Sequence, residues 1–272
     1  MEDKVVQCVQ ESLIGQLEKF SVLGVKVQLL TVKDLNRVVF CAIRENAKVV
    51  LANHNLHSVY LYHNDSKMKE FYDQVAHFIH IDGMPLILLG KLLGYPFARW
   101  YRTGYMDWIH PLMSLIDQHK WRVFYLGSEP GVAHQGIEKL AYQYPHIKFE
   151  AHHGFFNVEG KENELVLAKI NTFRPNILFV GMGMPRQEKW ILTNFERINA
   201  NVVLNAGACI DYIAGVKVFV PRWIGYIGLE WFVRLLTEPR RLWKRYLYEP
   251  LFLSRFVVED IKQKHSKQRN GL

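Results

Sequence analysis

The chain has 272 residues, 49% of them hydrophobic, which suits one large or two small globular domains with a substantial core and excludes disorder. No run approaches the roughly 18 uninterrupted apolar residues of a membrane span, and the opening "MEDKVVQCVQESLIGQLEKF" is too polar for a signal peptide, so a cytosolic protein is expected. The net charge is +8, and from Lys217 onward twelve Lys or Arg stand against five Asp or Glu, so the surplus lies in the last fifth and calls for an anionic partner: lipid, nucleic acid or a phosphorylated substrate.

In chain order, "KVQLLTV" (26–32) is a candidate strand, and "KVVLANHN" (48–55) is a strand ending in polar residues. "HFIHIDG" (77–83) closes on Asp82-Gly83, and "WRVFYLGSEPGV" (121–132) is a strand and turn feeding the helix "AHQGIEKLAYQY". "IKFEAHHGFF", the helical "ENELVLAKINTF", "NILFVGMG" and "NVVLNAGACID" follow. Cys8, Cys41 and Cys209 lack C-x-x-C spacing and are expected to be buried thiols, not a disulfide framework or a zinc site. Strands alternating with helices predict a parallel α/β sheet covered on both faces over residues 1–218. Ligands bind such sheets at the strands' carboxyl ends. Polar residues gather there: Asn53 and Asn55, Asp82, Gly127 and Ser128, His153, 181–188 and 205–211, ending on Asp211.

From Phe219 to residue 272 the pattern is helical, aromatic and basic. With Pro239 as the first helical residue, Leu242, Trp243, Tyr246 and Leu247 share one arc at about 100° per residue. Arg240, Arg241, Lys244 and Arg245 share the opposite arc. Such a helix either lies in a membrane interface or packs on its own domain with a solvated basic face.

The stretch "LFVGMGMPRQEKWI" (178–191) is a strand, a glycine turn and a helix opening on Pro185, which suits the first helical position. Unpaired N–H groups and the dipole at such an end attract phosphate, and Gly181 and Gly183 let the backbone approach a ligand. An ordinary packing turn reads equally well. Asp82 is either a general base or a turn aspartate. In "RWYRTGYMDWI", Arg99 and Arg102 either hold a phosphate or pair with Asp107. His54, His57, His152 and His153 are read as non-metal. No D-x-D pair, G-x-S-x-G or P-loop lysine occurs. A nicotinamide-dependent oxidoreductase would need glycine at position 186, where arginine stands. A non-catalytic adaptor for anionic membranes would use the basic tail but gives no reason for the Asp82 and 181–188 blocks.

"VGMGMPRQEKWI" closely resembles the signature of the bacterial WecG/TagA/CpsF family of glycosyltransferases (glycosyltransferase family 26). "DG" at 82–83, "RTGYMD" at 102–107, "YLGSEPGV" at 125–132, "HGFF" at 153–156 and the block from 205 to 247 resemble further family blocks in family order. The resemblance implies a Rossmann-like core with a membrane-associating C-terminal appendage. It implies inverting transfer from a UDP-sugar to a polyprenyl-diphosphate-linked sugar on the inner face of the cytoplasmic membrane, in surface-polysaccharide or teichoic acid synthesis. The implied partners are that donor, that acceptor and an anionic membrane surface, without nucleic acid, metal or cofactor; a homo-oligomer is compatible with it. Asp82 maps to the catalytic base, and Asn55 and Gln187 accompany it as catalytic residues. Donor binding is expected at Asn53, Arg102, Thr103, Gly104, Gly127, Gly181, Gly183, Pro185, Gln187, Glu188 and Asp211. Arg234, Arg240, Arg241, Arg245 and Trp243 map to the segment that completes the site and touches membrane. In place of the family's common T-x-N stands "NHN", so Asn53 replaces threonine, and Ile81 replaces an often small residue before Asp-Gly. Both departures fall beside the implied sugar pocket and bear on donor identity rather than on reaction class.

Overall fold

The computed structural model describes residues 2–10, 17–217 and 230–270. Six strands form one sheet in the order β4-β3-β8-β7-β5-β6, and every pairing in it is parallel. They are β3 (Val49–His54), β4 (Phe78–Ile81), β5 (Arg122–Gly127), β6 (Lys148–His152), β7 (Ile177–Gly181) and β8 (Val202–Asn205). The central strands read as nearly continuous apolar runs because helices cover both faces; all six residues of β3 are buried.

The segment 26–32, expected as a strand of this set, departs from the expectation. β1 (Lys19–Val22) and β2 (Val25–Gln28) form a separate antiparallel hairpin. Leu23 and Gly24 carry its turn at φ +53° and +73°, which matches the twist of a two-residue hairpin. Gln28 Oε1 accepts the Ile79 N–H at 3.0 Å, so the hairpin caps the edge strand β4.

One face of the sheet packs on α1 (Glu2–Gln10), α2 (Val32–Arg44), α6 (Tyr105–His119), α7 (Val132–Gln143) and α10 (Cys209–Ala214). The other packs on α4 (Ser66–Glu70), α8 (Lys161–Phe173) and α9 (Arg186–Asn194). Helix α2 starts at a capping box in which Thr31 and Asp34 satisfy each other's backbone N–H. Cys8 and Cys41, expected as thiols, are joined in a disulfide with Cα atoms 5.9 Å apart. The reason is tertiary: α1 lies on α2, and both cysteines face the shared core. Cys209 stays a buried thiol, pushed up to about 12 by burial.

A third apolar cluster joins the hairpin to α3 (Leu56–Asn64), α5 (Met84–Leu92) and the C-terminal α13 (Glu249–Asn270). The boundary expected at 218–219 lies outside the described residues. Before α13 come α11 (Glu230–Thr237), α12 (Pro239–Trp243) and a π turn over Lys244–Tyr248. Pro239 opens α12 as expected, but the wider turn that follows breaks the 100° spacing. Leu242 is buried, while Trp243 and Leu247, expected on the same arc, face outward. Helix α13 is part of the fold: Leu253 enters the third cluster, the His63 ring stacks on Phe256 at 3.8 Å, and Asp260 accepts the Leu23 N–H at 2.6 Å. His57 Nδ1 stands 2.9 Å from the buried Glu249 carboxylate. No described helix is long and apolar enough to cross a membrane.

Candidate active site

The adjacent strands β7 and β5 send the chain opposite ways, to β8 and to β6, and such a reversal is where open α/β sheets form a ligand crevice at the strands' carboxyl ends. Asp82 follows β4. Its N–H donates to His54 O at 2.8 Å, which holds it as an extension of the sheet. Gly83, at φ +118°, turns the chain into α5. Thr103 N–H donates to Ile81 O at 2.8 Å, which brings the 102–107 segment alongside. A Cβ on Gly104 would stand 3.3 Å from Asp82 Oδ1 and 3.5 Å from Asp107 Oδ2, so both carboxylates flank this backbone point. Asp82 is half-buried. Of the two roles open to Arg102, the structure shows the ion pair: its Nη2 donates to Asp107 Oδ2 at 2.7 Å. Thr103, expected at the donor, is fully buried and donates to Leu30 O at 2.8 Å, so it anchors the segment from below.

In the 178–191 stretch the two glycines differ in what surrounds them. A Cβ on Gly181 would stand 2.0 Å from Tyr125 Oη and 2.6 Å from Gly207 O, so glycine there serves packing between strand ends. Gly127 pairs with Gly181 and is packed against its carbonyl in the same way. Gly183 is the opposite case: φ is +79°, and a Cβ there would meet nothing within 4 Å among the described residues. Pro185 precedes the helix instead of opening it, after a cis peptide bond, and α9 begins at Arg186.

Gln187 and Glu188, expected to contact the nucleoside or sugar, have no exposed surface. Gln187 Oε1 accepts the N–H groups of Gly183 and Gly207, each at 3.1 Å, and so ties together the loops after β7 and β8. Its Nε2 donates at 2.7 Å to Glu188 Oε1, which also accepts Asn205 Nδ2 at 3.0 Å. Burial raises the Glu188 carboxyl above its usual range. The Arg186 guanidinium donates to the carbonyls of Gly154 and Phe156 and holds the 153–156 loop. Asp211 accepts Ser128 Oγ–H at 2.5 Å and stands 3.4 Å from Lys217 Nζ, linking the loops after β5 and β8.

Between the two junctions lies Tyr105, which residue-by-residue reading did not single out although it sits in the 102–107 block. Burial holds its phenol protonated, and both Asp82 and Glu188 are close enough to act on its charge. Tyr105 Oη, Asn53 Oδ1, Asn205 Oδ1 and Glu188 Oε2 are buried without a hydrogen-bond partner among the described residues. Such polar atoms at strand carboxyl ends are what a polar ligand would satisfy. Their signal in the sequence was polarity at a strand end, present for Asn205 and masked in Tyr105 by its place at the head of an apolar helix.

Asn55 caps α3 through Oδ1, which accepts Ser58 N–H at 3.1 Å. The same oxygen accepts Arg245 Nη2 at 3.3 Å, so the appendage delivers a guanidinium beside β3. Arg240 and Trp243 are exposed, and the side chains of Arg234 and Arg241 lie outside the described residues. Beneath the crevice, burial lowers His54 to about 3 and His80 to about 4; the His54 ring stacks on Tyr72 at 3.9 Å. A wide depression lined by Arg122, Asn171 and Arg174 lies at the amino end of β5 and contains none of these residues.

The chain matches the Glycosyl transferase WecG/TagA/CpsF family over residues 20–266. It is similar to the N-acetylglucosaminyldiphosphoundecaprenol N-acetyl-beta-D-mannosaminyltransferase of Staphylococcus aureus (strain NCTC 8325 / PS 47): 26% identical over 251 residues, covering 89% of this chain and 96% of the relative. The proteins of that name from S. aureus strains COL and MSSA476 show the same identity and coverage. The matched span takes in the Asp82 turn, the 102–107 block, the β7–α9 junction and Arg245. The chain therefore belongs to the WecG/TagA/CpsF family of glycosyltransferases.

Proposed function

We propose that this protein is an inverting glycosyltransferase that moves a sugar from a UDP-sugar to a polyprenyl-diphosphate-linked sugar, working peripherally on the cytoplasmic face of the membrane. The observation that carries the reading is the half-buried Asp82 carboxylate at the carboxyl end of β4, in a fold of this family, with an appendage guanidinium at neighbouring Asn55. The relatives' names supply the class of acceptor.

In this reading the acceptor hydroxyl gives its proton to Asp82 as its oxygen attacks the anomeric carbon. The new glycosidic bond forms on the face opposite the leaving group. The bond from the anomeric carbon to the diphosphate breaks, and UDP leaves with the electron pair. Gln187 acts through the loops it ties, by presenting the open backbone at Gly183 and Gly207 to the donor. Arg245 offsets the charge that develops on the diphosphate. Asn53 and Tyr105 meet polar groups of the sugar. The metal-binding carboxylate pair D-x-D is missing from the sequence, so transfer is expected without a divalent cation.

The test is a screen of UDP-sugars, including N-acetylmannosamine, against a synthetic polyprenyl-diphosphate N-acetylglucosamine acceptor, with EDTA present. The expected result is one donor consumed and a disaccharide-lipid of inverted anomeric configuration. Failure with every nucleotide sugar overturns the reading. Activity lost in EDTA and restored by Mg²⁺ or Mn²⁺ overturns metal independence alone.

A further inference from the structure

The 24 residues from 83 to 106 contain no Asp or Glu but hold Lys91, Arg99 and Arg102. They begin at the turn that presents Asp82 and run through α5, whose sequence is apolar on more than one side. Leu86 and Ile87 account for the inner side, buried in the third cluster. Leu88 and Leu92, one turn apart, point the other way and are 58% and 63% exposed. Trp100, in the short turn after them, is 68% exposed, and Lys91 and Arg99 stand exposed beside this set. Single exposed leucines need no explanation. Helix α5 packs on the Arg99–Tyr101 turn, so two exposed leucines and an exposed tryptophan, with Lys91 and Arg99, lie on adjoining elements and form a patch.

We propose that this shoulder, α5 with the turn at Arg99–Tyr101, is a membrane-inserting surface distinct from the basic tail. Leu88, Leu92 and Trp100 enter the acyl boundary of an anionic bilayer, while Lys91 and Arg99 stay at the headgroups. Three observations select lipid as the occupant. The shoulder brings positive charge and no carboxylate of its own, so the same patch on a second copy would meet like charge. It is continuous with the basic tail: the third cluster joins α5 to α13, and a Cβ on Gly94 would stand 2.5 Å from Lys264 Nζ. Finally, α5 starts at Gly83, beside Asp82, and its nine residues span only about 14 Å. A bilayer holding Leu92 therefore lies within reach of an acceptor sugar hung on a lipid diphosphate. This last argument rests on the acceptor class proposed above; the first two do not.

The experiment uses the full chain. Leu92→Cys, labelled with a polarity-sensitive fluorophore, gives one accessible site, because Cys8 and Cys41 are paired and Cys209 is buried. On phosphatidylglycerol-containing vesicles its emission should shift to the blue and be quenched by brominated acyl chains. The triple variant Leu88→Ser, Leu92→Ser, Trp100→Ser should keep its melting temperature and lose about tenfold or more in vesicle partition. Its transfer to a long-chain acceptor in vesicles should fall in parallel, with transfer to a short-chain soluble acceptor unchanged. An unshifted label, or a triple variant that partitions like the parent, overturns the proposal. So does equal loss on both acceptors, which would place these side chains in the site itself. A dimer that dissociates in the triple variant, with vesicle binding intact, assigns the patch to a second copy instead. If the label enters the bilayer but no acceptor is ever glycosylated, the function reading fails and the membrane surface stands.

Discussion

Two strand-to-helix junctions carry the proposed site, and they use their residues in opposite ways. At β7–α9 the sequence is conspicuous, with two glycines, a proline and Arg-Gln-Glu, yet the structure spends most of them on itself. Gly181 fits under Tyr125 and Gly207, Gln187 gathers two loop amides, and Arg186 holds the 153–156 loop. At β4–α5 the sequence offers only Asp-Gly. There the carboxylate is half-buried and close to Gly104, and Asn55, beside the Gly83 turn, accepts a guanidinium from the far end of the chain. A dense motif can record the cost of building a loop, while a sparse one carries the group proposed to react.

The largest effect that tests this contrast is Asp82→Asn. Turnover should fall by about 10² to 10⁴, the usual worth of general acid–base catalysis, with donor affinity and melting temperature retained. Turnover near that of the parent would move the base elsewhere. Gln187→Ala should fail in the other manner. Two glycine amides and Glu188 lose a buried partner, at a cost of about 2–4 kcal/mol in urea unfolding. If stability holds and only turnover drops, Gln187 touches substrate after all.

Acid should unfold the protein through the histidines beneath the crevice. His54 and His80 are held neutral by burial, near 3 and 4. Between those values and about 6.5 the unfolded chain binds more protons. Stability is thus full above about pH 6.5 and falls with acidification, by about 1.4 kcal/mol per pH unit for each histidine. Glu188, raised by burial, opposes this, since its protonated folded form gains stability as pH falls through its window. His80→Gln should make the acid limb of a stability–pH curve shallower by about one proton; an unchanged slope would remove His80 from the account.

Smaller again is the link between appendage and core. A double-mutant cycle on Asn55→Ala and Arg245→Ala should show a coupling of about 1 kcal/mol in transition-state stabilisation. Additive losses would mean the 3.3 Å contact carries nothing. Deleting 219–272 is no clean test, because removing Leu253 and Phe256 uncovers the third cluster and should lower the melting temperature. The smallest readout is a count: thiol titration of the unfolded, unreduced chain should find one thiol, Cys209, and finding three would refute the Cys8–Cys41 pair.

Much of the fold was legible because local pattern dictates it. Buried parallel strands must be apolar along their length, and covering helices must be amphipathic, so the alternation from 48 to 211 marked the sheet. The carboxyl-end residues were legible for the same reason, since polarity returns where a strand leaves the core. Segment 26–32 shows the limit. It reads as a strand, but only its pairing with Lys19–Val22 makes it a hairpin outside the sheet.

Sequence alone determined the parallel α/β architecture, the location of the two junctions and the concentration of positive charge after Lys217. Tertiary structure decided which polar residues face the crevice. Thr103, Gln187 and Glu188 lie in polar blocks and are buried, because another element supplies a partner: the Leu30 carbonyl for Thr103, the Gly207 amide for Gln187 and the Asn205 side-chain amide for Glu188. It also decided that Cys8 meets Cys41, that α13 seals the third cluster, and that Arg245 reaches Asn55, a residue 190 positions away. Local periodicity reports the solvent a residue would see on its own helix or strand. Burial and pairing depend on what packs against it, and no window of sequence contains both partners.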